Sequence, residues 1–325
     1  MDAQRTATAY SSPPGHLTGP EPLPPLSRVV GRRHVAWWLV TAVLVLLTGL
    51  AVNGMITNEA LQWDVVGRYL GSQQILEGLA RTIELTVIAM LVGIVLGAVL
   101  AVMRLSPLIV PRTLATAYIW FFRGTPLIVQ IIFWYNAALL VPRLSIGIPG
   151  LSPWWSWSTN DLVTPFVAAV LALSLNEAAY MSEIVRAGIL SVGAGQREAA
   201  LALGMTDGLT MRRVVLPQAM RIVVPPTGNQ VIGMLKSTAL VSVTSLPELL
   251  YSAQLIYSRT FETIPLLIVV SLWYLALTTL LSAVQFLVER HYGRGVAQTG
   301  VSRWRGTRRA AANAAAGTVS GEDGR

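Results

Sequence analysis

Eight side chains able to bind or carry charge sit in otherwise apolar stretches of this chain: Arg123, Gln130, Asn176, Glu177, Tyr180, Glu183, Asn229 and Lys236. An ionisable group buried in an apolar span is costly unless it faces a polar cavity or an opposite partner, so each is a candidate for function. At helical spacing Asn176, Tyr180 and Glu183 share one stripe, with Glu177 beside it, and Asn229, Gly233 and Lys236 share another. Arg123 and Gln130 lie seven apart on a third, provided Pro126 bends its helix without ending it. Together these stripes can line a polar path that holds both signs of charge. The same Glu183, Arg123 and Lys236 equally suit interhelical ion pairs that fix packing, with Arg186 at a membrane interface.

A second constellation occupies residues 195 to 219, GQREAALALGMTDGLTMRRVVLPQA. Gln196 to Leu203 are strong helix formers without a breaker, and Gly204 can supply the left-handed residue that ends a helix. Thr206 can cap a second short helix running through Leu209, Arg212 and Arg213 towards Leu216-Pro217. Such a hairpin is too short to fold alone, so flanking helices and a partner must brace it.

The elements that position these residues are membrane spans. The chain is 53% apolar and only 12% charged over 325 residues, outside the range of a soluble domain. A helix needs roughly 20 apolar residues to cross about 30 Å of hydrocarbon. Six stretches qualify: 35–52, 83–103, 113–141 (interrupted at Arg123-Gly124-Thr125-Pro126), 163–189, 221–243 and 264–288. The expected fold is therefore all-α and polytopic. Pro225-Pro226 reads as a helix start, and Gly93 with Gly97 as a close-packing face.

Basic residues set the orientation, because Lys and Arg in short loops stay on the cytoplasmic side. With the N-terminus inside, inner segments hold Arg28, Arg32, Arg33, Arg104, Arg112, Arg186, Arg197, Arg212, Arg213, Arg290 and Arg294. The outer ones hold Arg68, Arg81, Arg143 and Arg259. Both termini and the 190–213 insert are thus expected in the cytoplasm, with Trp154, Trp155 and Trp157 anchoring an outer loop at the headgroup level. The tails, 1–27 and 291–325, are too poor in apolar residues to fold. Arg303, Arg305, Arg308 and Arg309 in the second can touch anionic lipid. The basic surplus is spread over loops and tails, and no nucleic-acid partner is expected.

Several chemistries are excluded. The chain has no cysteine, and His16, His34 and His291 lie outside the spans, so no thiolate site and no intramembrane histidine base is available. No His-Glu-x-x-His occurs and no metal site is expected. The only lysine, Lys236, follows Leu235, so the Gly-Lys-Ser/Thr of a phosphate-binding loop is missing. Any ATP-driven role therefore requires a separate nucleotide-binding subunit.

Glu198-Ala199-Ala200, Gly204, Val214 and Leu216-Pro217 match Glu-Ala-Ala, three residues, Gly, nine residues, Ile or Val, one residue, Leu-Pro. This resembles the signature of the membrane subunits of prokaryotic ABC importers, whose short helix docks in a groove on the ATPase. The string Glu177-Ala178-Ala179 lacks the Gly and the Leu-Pro. Phe121 to Leu127 with Gln130, Ala179-Tyr180-Met181-Ser182-Glu183-Ile184-Val185-Arg186 and Leu235 to Leu240 resemble the polar amino acid branch (His, Glu/Gln, Arg and opine permeases). Where that branch often shows Asn-Ser-Gly, this chain has Asn176-Glu177-Ala178, which adds a carboxylate.

The resemblance implies a five-helix core over 77–290, preceded by an extra helix and outer loop over 28–76. It implies ATPase docking through 195–213, with Glu198, Ala199, Ala200, Gly204, Arg212, Leu216 and Pro217 as the docking residues. It further implies an ABC ATPase carrying ATP and Mg, an extracytoplasmic solute-binding protein and a second permease subunit in a prokaryotic inner membrane, with no cofactor in this chain. A proton- or sodium-coupled transporter with Glu183 as carrier is the alternative. It explains the buried charges but not the insert.

Overall fold

A computed structural model describes residues 35–146 and 154–292. The tails expected at 1–27 and 291–325, and with them both termini, lie outside those residues apart from 291 and 292. The chain divides into a unit ending at Thr57 and a unit beginning at Asn58. The first unit is α1 (Val35–Thr57), 23 residues and therefore about 35 Å long. Its described side chains are exposed along its whole length. The hydroxyls of Thr41, Thr48 and Thr57 donate to carbonyls four residues earlier at 2.8 Å each, so these three polar groups are satisfied within the helix.

The second unit contains α2 (Trp63–Leu70), α3 (Gln73–Leu105), α4 (Ile109–Gly124), α5 (Leu127–Tyr135), α6 (Ala137–Leu140), β1 (Arg143–Ile146), β2 (Trp155–Ser158), α7 (Thr159–Leu162) and α8 (Pro165–Leu190). There follow α9 (Ala194–Ala202), α10 (Asp207–Thr210), α11 (Leu216–Ser237), α12 (Leu249–Thr260) and α13 (Thr263–Tyr292). Among the described residues α1, α3, α8 and α13 are each long and apolar enough to cross a membrane. Two bent pairs complete the set, α4 with α5 at 101° and the run Asp207–Thr244 with α12 at 45°. Counting each bent pair once gives the six expected spans of an all-α polytopic protein.

Small residues bring α3 and α8 together. A Cβ on Gly93 would lie 2.8 Å from the Cβ of Glu177, and one on Gly97 would lie 2.6 Å from the Cβ of Met181. Only glycine permits this approach, as the spacing predicted. A second core joins Val65 and Val66 of α2 to Leu249, Ala253, Leu266 and Val269. Residues 63–70, expected in an outer loop, are therefore a packed helix. The fully buried Glu248 caps α12, its carboxylate accepting from the amides of Leu250 (3.0 Å) and Tyr251 (2.7 Å) and from the Tyr274 hydroxyl (3.3 Å). That cap explains how a carboxylate is tolerated there.

Two local expectations are corrected. Pro126 does not merely bend its helix: Thr125 is extended (φ −109, ψ 142), as a residue before proline prefers, and α4 ends there. Pro225 and Pro226 lie inside α11 and do not start it. Packing of α11 between α8 and α13 outweighs the roughly 3 kcal/mol that an interior proline costs. The segment that carries the tryptophans also holds a ribbon, in which β1 and β2 pair antiparallel. Leu144 faces Trp157 and Ile146 faces Trp155 on one side, Arg143 faces Ser158 and Ser145 faces Ser156 on the other. Alternation of aromatic and aliphatic residues with serines favours such a ribbon. Trp154, Trp155 and Trp157 are exposed on it.

Candidate functional site: a surface hairpin and an intramembrane polar cluster

The insert folds as a hairpin closed by its own backbone. Beyond α9, the amide of Gly204 bonds the Leu201 carbonyl (2.9 Å) and that of Met205 bonds the Ala200 carbonyl (3.1 Å). This double closure requires a left-handed residue, and Gly204 has φ +81. Thr206 Oγ1 accepts from the Leu209 amide at 3.4 Å, the expected cap, and Arg197 pairs with Asp207 at 2.8 Å across the hairpin. α9 packs on α10 and on the π-helical turn Met211–Val215. In that turn the Leu216 amide reaches the Met211 carbonyl, five residues back. The wider turn admits Pro217 at the start of α11, so the second short helix runs without a break into a span.

Exposure sorts the docking candidates. Glu198, Ala199, Gly204, Arg212, Leu216 and Pro217 are exposed, whereas Ala200 is buried inside the hairpin. Its small side chain sets the spacing of α9 from the segment below. Leu203, 84% exposed beside Gly204, adds an apolar contact to the outer face.

Five of the eight polar residues singled out in the spans, Arg123, Asn176, Glu177, Tyr180 and Glu183, gather at two adjoining cavities that share Tyr180. One, of ≈ 330 Å³, is lined by Asn176, Glu177, Tyr180, Gln230, Gly233 and Ser237 among others. The Glu177 carboxylate is buried, and its Oε1 has no hydrogen-bond partner. The other, of ≈ 440 Å³, is lined by Arg104, Thr116, Trp120, Arg123, Tyr180 and Glu183. Here Glu183 receives Arg104 from α3, Arg186 (Nε at 3.0 Å) from its own helix and Arg123 (3.9 Å) from α4. The Arg123 guanidinium also lies 5.2 Å from the centre of the Tyr180 ring.

The model of the family described as "binding-protein-dependent transport system inner membrane component" matches residues 89–294. The chain belongs to that family. Among its relatives, the "Arginine transport system permease protein ArgU" of Corynebacterium glutamicum is 42% identical over 273 residues, 83% of this chain and 84% of that one. The "Glutamate/aspartate import permease protein GltK" of Escherichia coli is 42% identical over 185 residues, 57% of this chain and 78% of its own length. The solved "amino acid ABC transporter with histidines" superposes with a TM-score of 0.58 at 36% identity, over 67% of this chain and 94% of that one. None of these supports the secondary-transporter alternative.

Within this inner membrane component, the stripes read from the sequence are only partly those that meet in space. Asn176 and Gln130 do come together, with 3.2 Å between the Asn176 Nδ2 and Gln130 Oε1 atoms, but as braces of the α4–α5 break. Asn176 Nδ2 and Gln130 Nε2 each donate to the Phe122 carbonyl at 3.0 Å, and Gln130 also reaches Thr125 Oγ1 at 2.8 Å. Gln130 therefore lines neither cavity, and the stripe joining it to Arg123 is broken at Pro126. Asn229 turns to α13, where Gln285 Nε2 donates to its Oδ1 at 3.0 Å. Lys236 also faces α13, beside Ser271, Tyr274 and Thr278, with no ion pair among the described residues.

Three residues escaped the sequence reading of the path. Gln230, beside Asn229, forms with Gly233 and Ser237 the face of α11 that lines the first cavity, a stripe as regular as the one chosen. Arg104 counted only as a topology marker and Arg186 only as an interface and motif residue, yet both bind Glu183. A lone arginine within reach of a span's end was the available signal.

Proposed function

We propose that this chain forms one half of the pathway of an ATP-driven importer for a polar amino acid in a prokaryotic inner membrane. The observation that carries the reading is the hairpin of residues 194–215, closed at Gly204 by two backbone bonds and carrying exposed Glu198, Ala199, Leu203 and Arg212 at the foot of two spans. A separate ATPase, holding ATP and Mg, docks on that face from the cytoplasm. A second permease subunit completes the path, and a solute-binding protein delivers substrate from outside. Closure of the ATPases moves the hairpin, and α8 and α11, which leave it directly, carry that movement to the cavities around Tyr180. Amino acid specificity resides in those cavities: Glu177, Asn176 and Gln230 offer a carboxylate and amides to a cationic group, and Arg123 offers a guanidinium to an anionic one. Family membership, together with the names of the arginine and glutamate/aspartate relatives, supports an amino acid as the solute.

Gly204 supplies the test. A Cβ there would meet nothing within 4 Å, so any effect of substitution comes from the backbone angle alone. A β-branched residue at φ +81 is strained, by about 1–2 kcal/mol or more, while asparagine tolerates the left-handed region. Uptake of labelled arginine and glutamate by cells carrying the full transporter is expected to be lost with Gly204→Val and largely kept with Gly204→Asn. Both variants are expected at normal abundance in the membrane. Normal uptake with Gly204→Val would sink the docking assignment.

A further inference from the structure

The Glu183 cluster is out of electrostatic balance. Arg104, Arg123 and Arg186 surround one carboxylate, three positive charges on one negative. Arg104 holds Oε1, Arg186 holds Oε2 through Nε and Nη2 at 3.0 Å each, and Arg123 stands off at 3.9 Å. Arg123 is 45% exposed and stacked on Tyr180 at the cavity wall, so most of its five donors are unspent. No second carboxylate lines that cavity of ≈ 440 Å³. A partly buried excess of guanidinium calls for an oxyanion, and a planar carboxylate fits the fork of an arginine with two parallel hydrogen bonds.

We propose that this cavity is an oxyanion-binding station, in which the Glu183 carboxylate is a displaceable internal stand-in for the carboxylate of the transported amino acid. The source of the oxyanion rests on the importer reading above; the chemistry of the station does not. An entering carboxylate takes Arg123 first, because that arginine is least engaged, and then competes with Glu183 for Arg104. Glu183 keeps Arg186, three residues on in the same helix. The exchange therefore unties α8 from α3 and α4 at the end of α8 that leads into the docking hairpin. In this way an occupied station and a free hairpin are coupled through one carboxylate.

The test uses the full-length chain in phosphatidylcholine nanodiscs, with N-acetylglycine labelled with ¹³C at its carboxyl as the probe. The probe carries a carboxylate and no ammonium, and line broadening reports its binding without any ATPase. Broadening is expected with the native chain and lost with Arg123→Gln. Glu183→Gln, which removes the competitor and retains the shape, is expected to tighten binding by about tenfold, the worth of one charge-assisted contact. Unfolding temperatures measured on the same discs identify a variant that has failed to fold. For that case Arg123→Lys, which keeps the charge but loses the fork, is expected to bind several-fold more weakly. Unchanged binding with Arg123→Gln, or no gain with folded Glu183→Gln, overturns the proposal. Phosphatidylglycerol in the discs separates the sources: if it displaces the probe and unlabelled amino acids do not, a lipid phosphate is the occupant and the substrate assignment is overturned. Probe binding that persists in a chain unable to support uptake would count against the importer reading and leave the station standing.

Discussion

The hairpin and the polar cluster solve opposite problems. The hairpin is held by contacts made within about twenty residues: the double closure at Gly204, the Thr206 cap and the Arg197–Asp207 pair. The cluster is held by contacts between residues far apart in sequence, with Arg104 meeting Glu183 across 79 positions and Asn176 meeting Gln130 across 46. The first is a local instruction that can be altered without unmaking the bundle. The second is part of the bundle, so its perturbation reaches stability and function together. The difference separates an element closed on itself from one that belongs to the packing of the spans.

The comparison predicts where damage falls. The largest effect is expected from Gly97→Leu, because even a Cβ at that site would lie 2.6 Å from the Cβ of Met181 and 3.0 Å from the Ala178 carbonyl. Neither neighbour is the far end of a flexible chain, so α3 and α8 must separate, at a cost of about 1–3 kcal/mol or more. Quantitative immunoblotting of membranes should show the protein much reduced, whereas Gly204→Val leaves it abundant and inactive. Equal abundance for the two variants would erase the distinction between the regions.

Legibility in the sequence followed the same division. The spans were readable from hydropathy because lipid imposes one requirement on every residue they expose. The hairpin was readable because Gly204 and Thr206 act on their immediate neighbours. The packing of α3 on α8 was readable from Gly93 and Gly97 for a related reason, since a glycine pair at four-residue spacing leaves few other uses. The face of α11 was not readable: Asn229 and Gln230 are adjacent, and only the position of α8 decides that Gln230 lines the cavity while Asn229 meets Gln285. Pro126 and Pro225 show the limit from another side. The same residue type ends α4, where the preceding Thr125 is extended, and sits inside α11, which packs between α8 and α13.

A smaller effect tests the cluster's share of stability. Gln130→Leu keeps the volume roughly constant but removes the donor to the Phe122 carbonyl and the acceptor for Asn176. Asn176 still bonds the Phe122 carbonyl, so neither group is stranded, and the lost hydrogen bonds are worth about 0.5–1.5 kcal/mol each. A lower unfolding temperature in detergent is therefore expected, accompanied by reduced uptake, because the α4–α5 break also positions Arg123. A fall in uptake with no loss of thermal stability would instead place Gln130 on the substrate path.

The smallest effect belongs to the hairpin's surface pair. Arg197 and Asp207 are well exposed, at 59% and 74% of their side-chain surface, and ion pairs of that kind contribute less than about 1 kcal/mol. The two backbone bonds at Gly204 and the Thr206 cap remain in Asp207→Asn, so the hairpin keeps its shape. Membrane abundance and thermal stability are expected to stay unchanged, and uptake at physiological salt to fall by less than about twofold. If uptake falls as far as with Gly204→Val while abundance holds, Asp207 belongs to the docking contact itself. The hairpin would then present charge as well as shape, and the local instruction would extend one residue past the Thr206 cap.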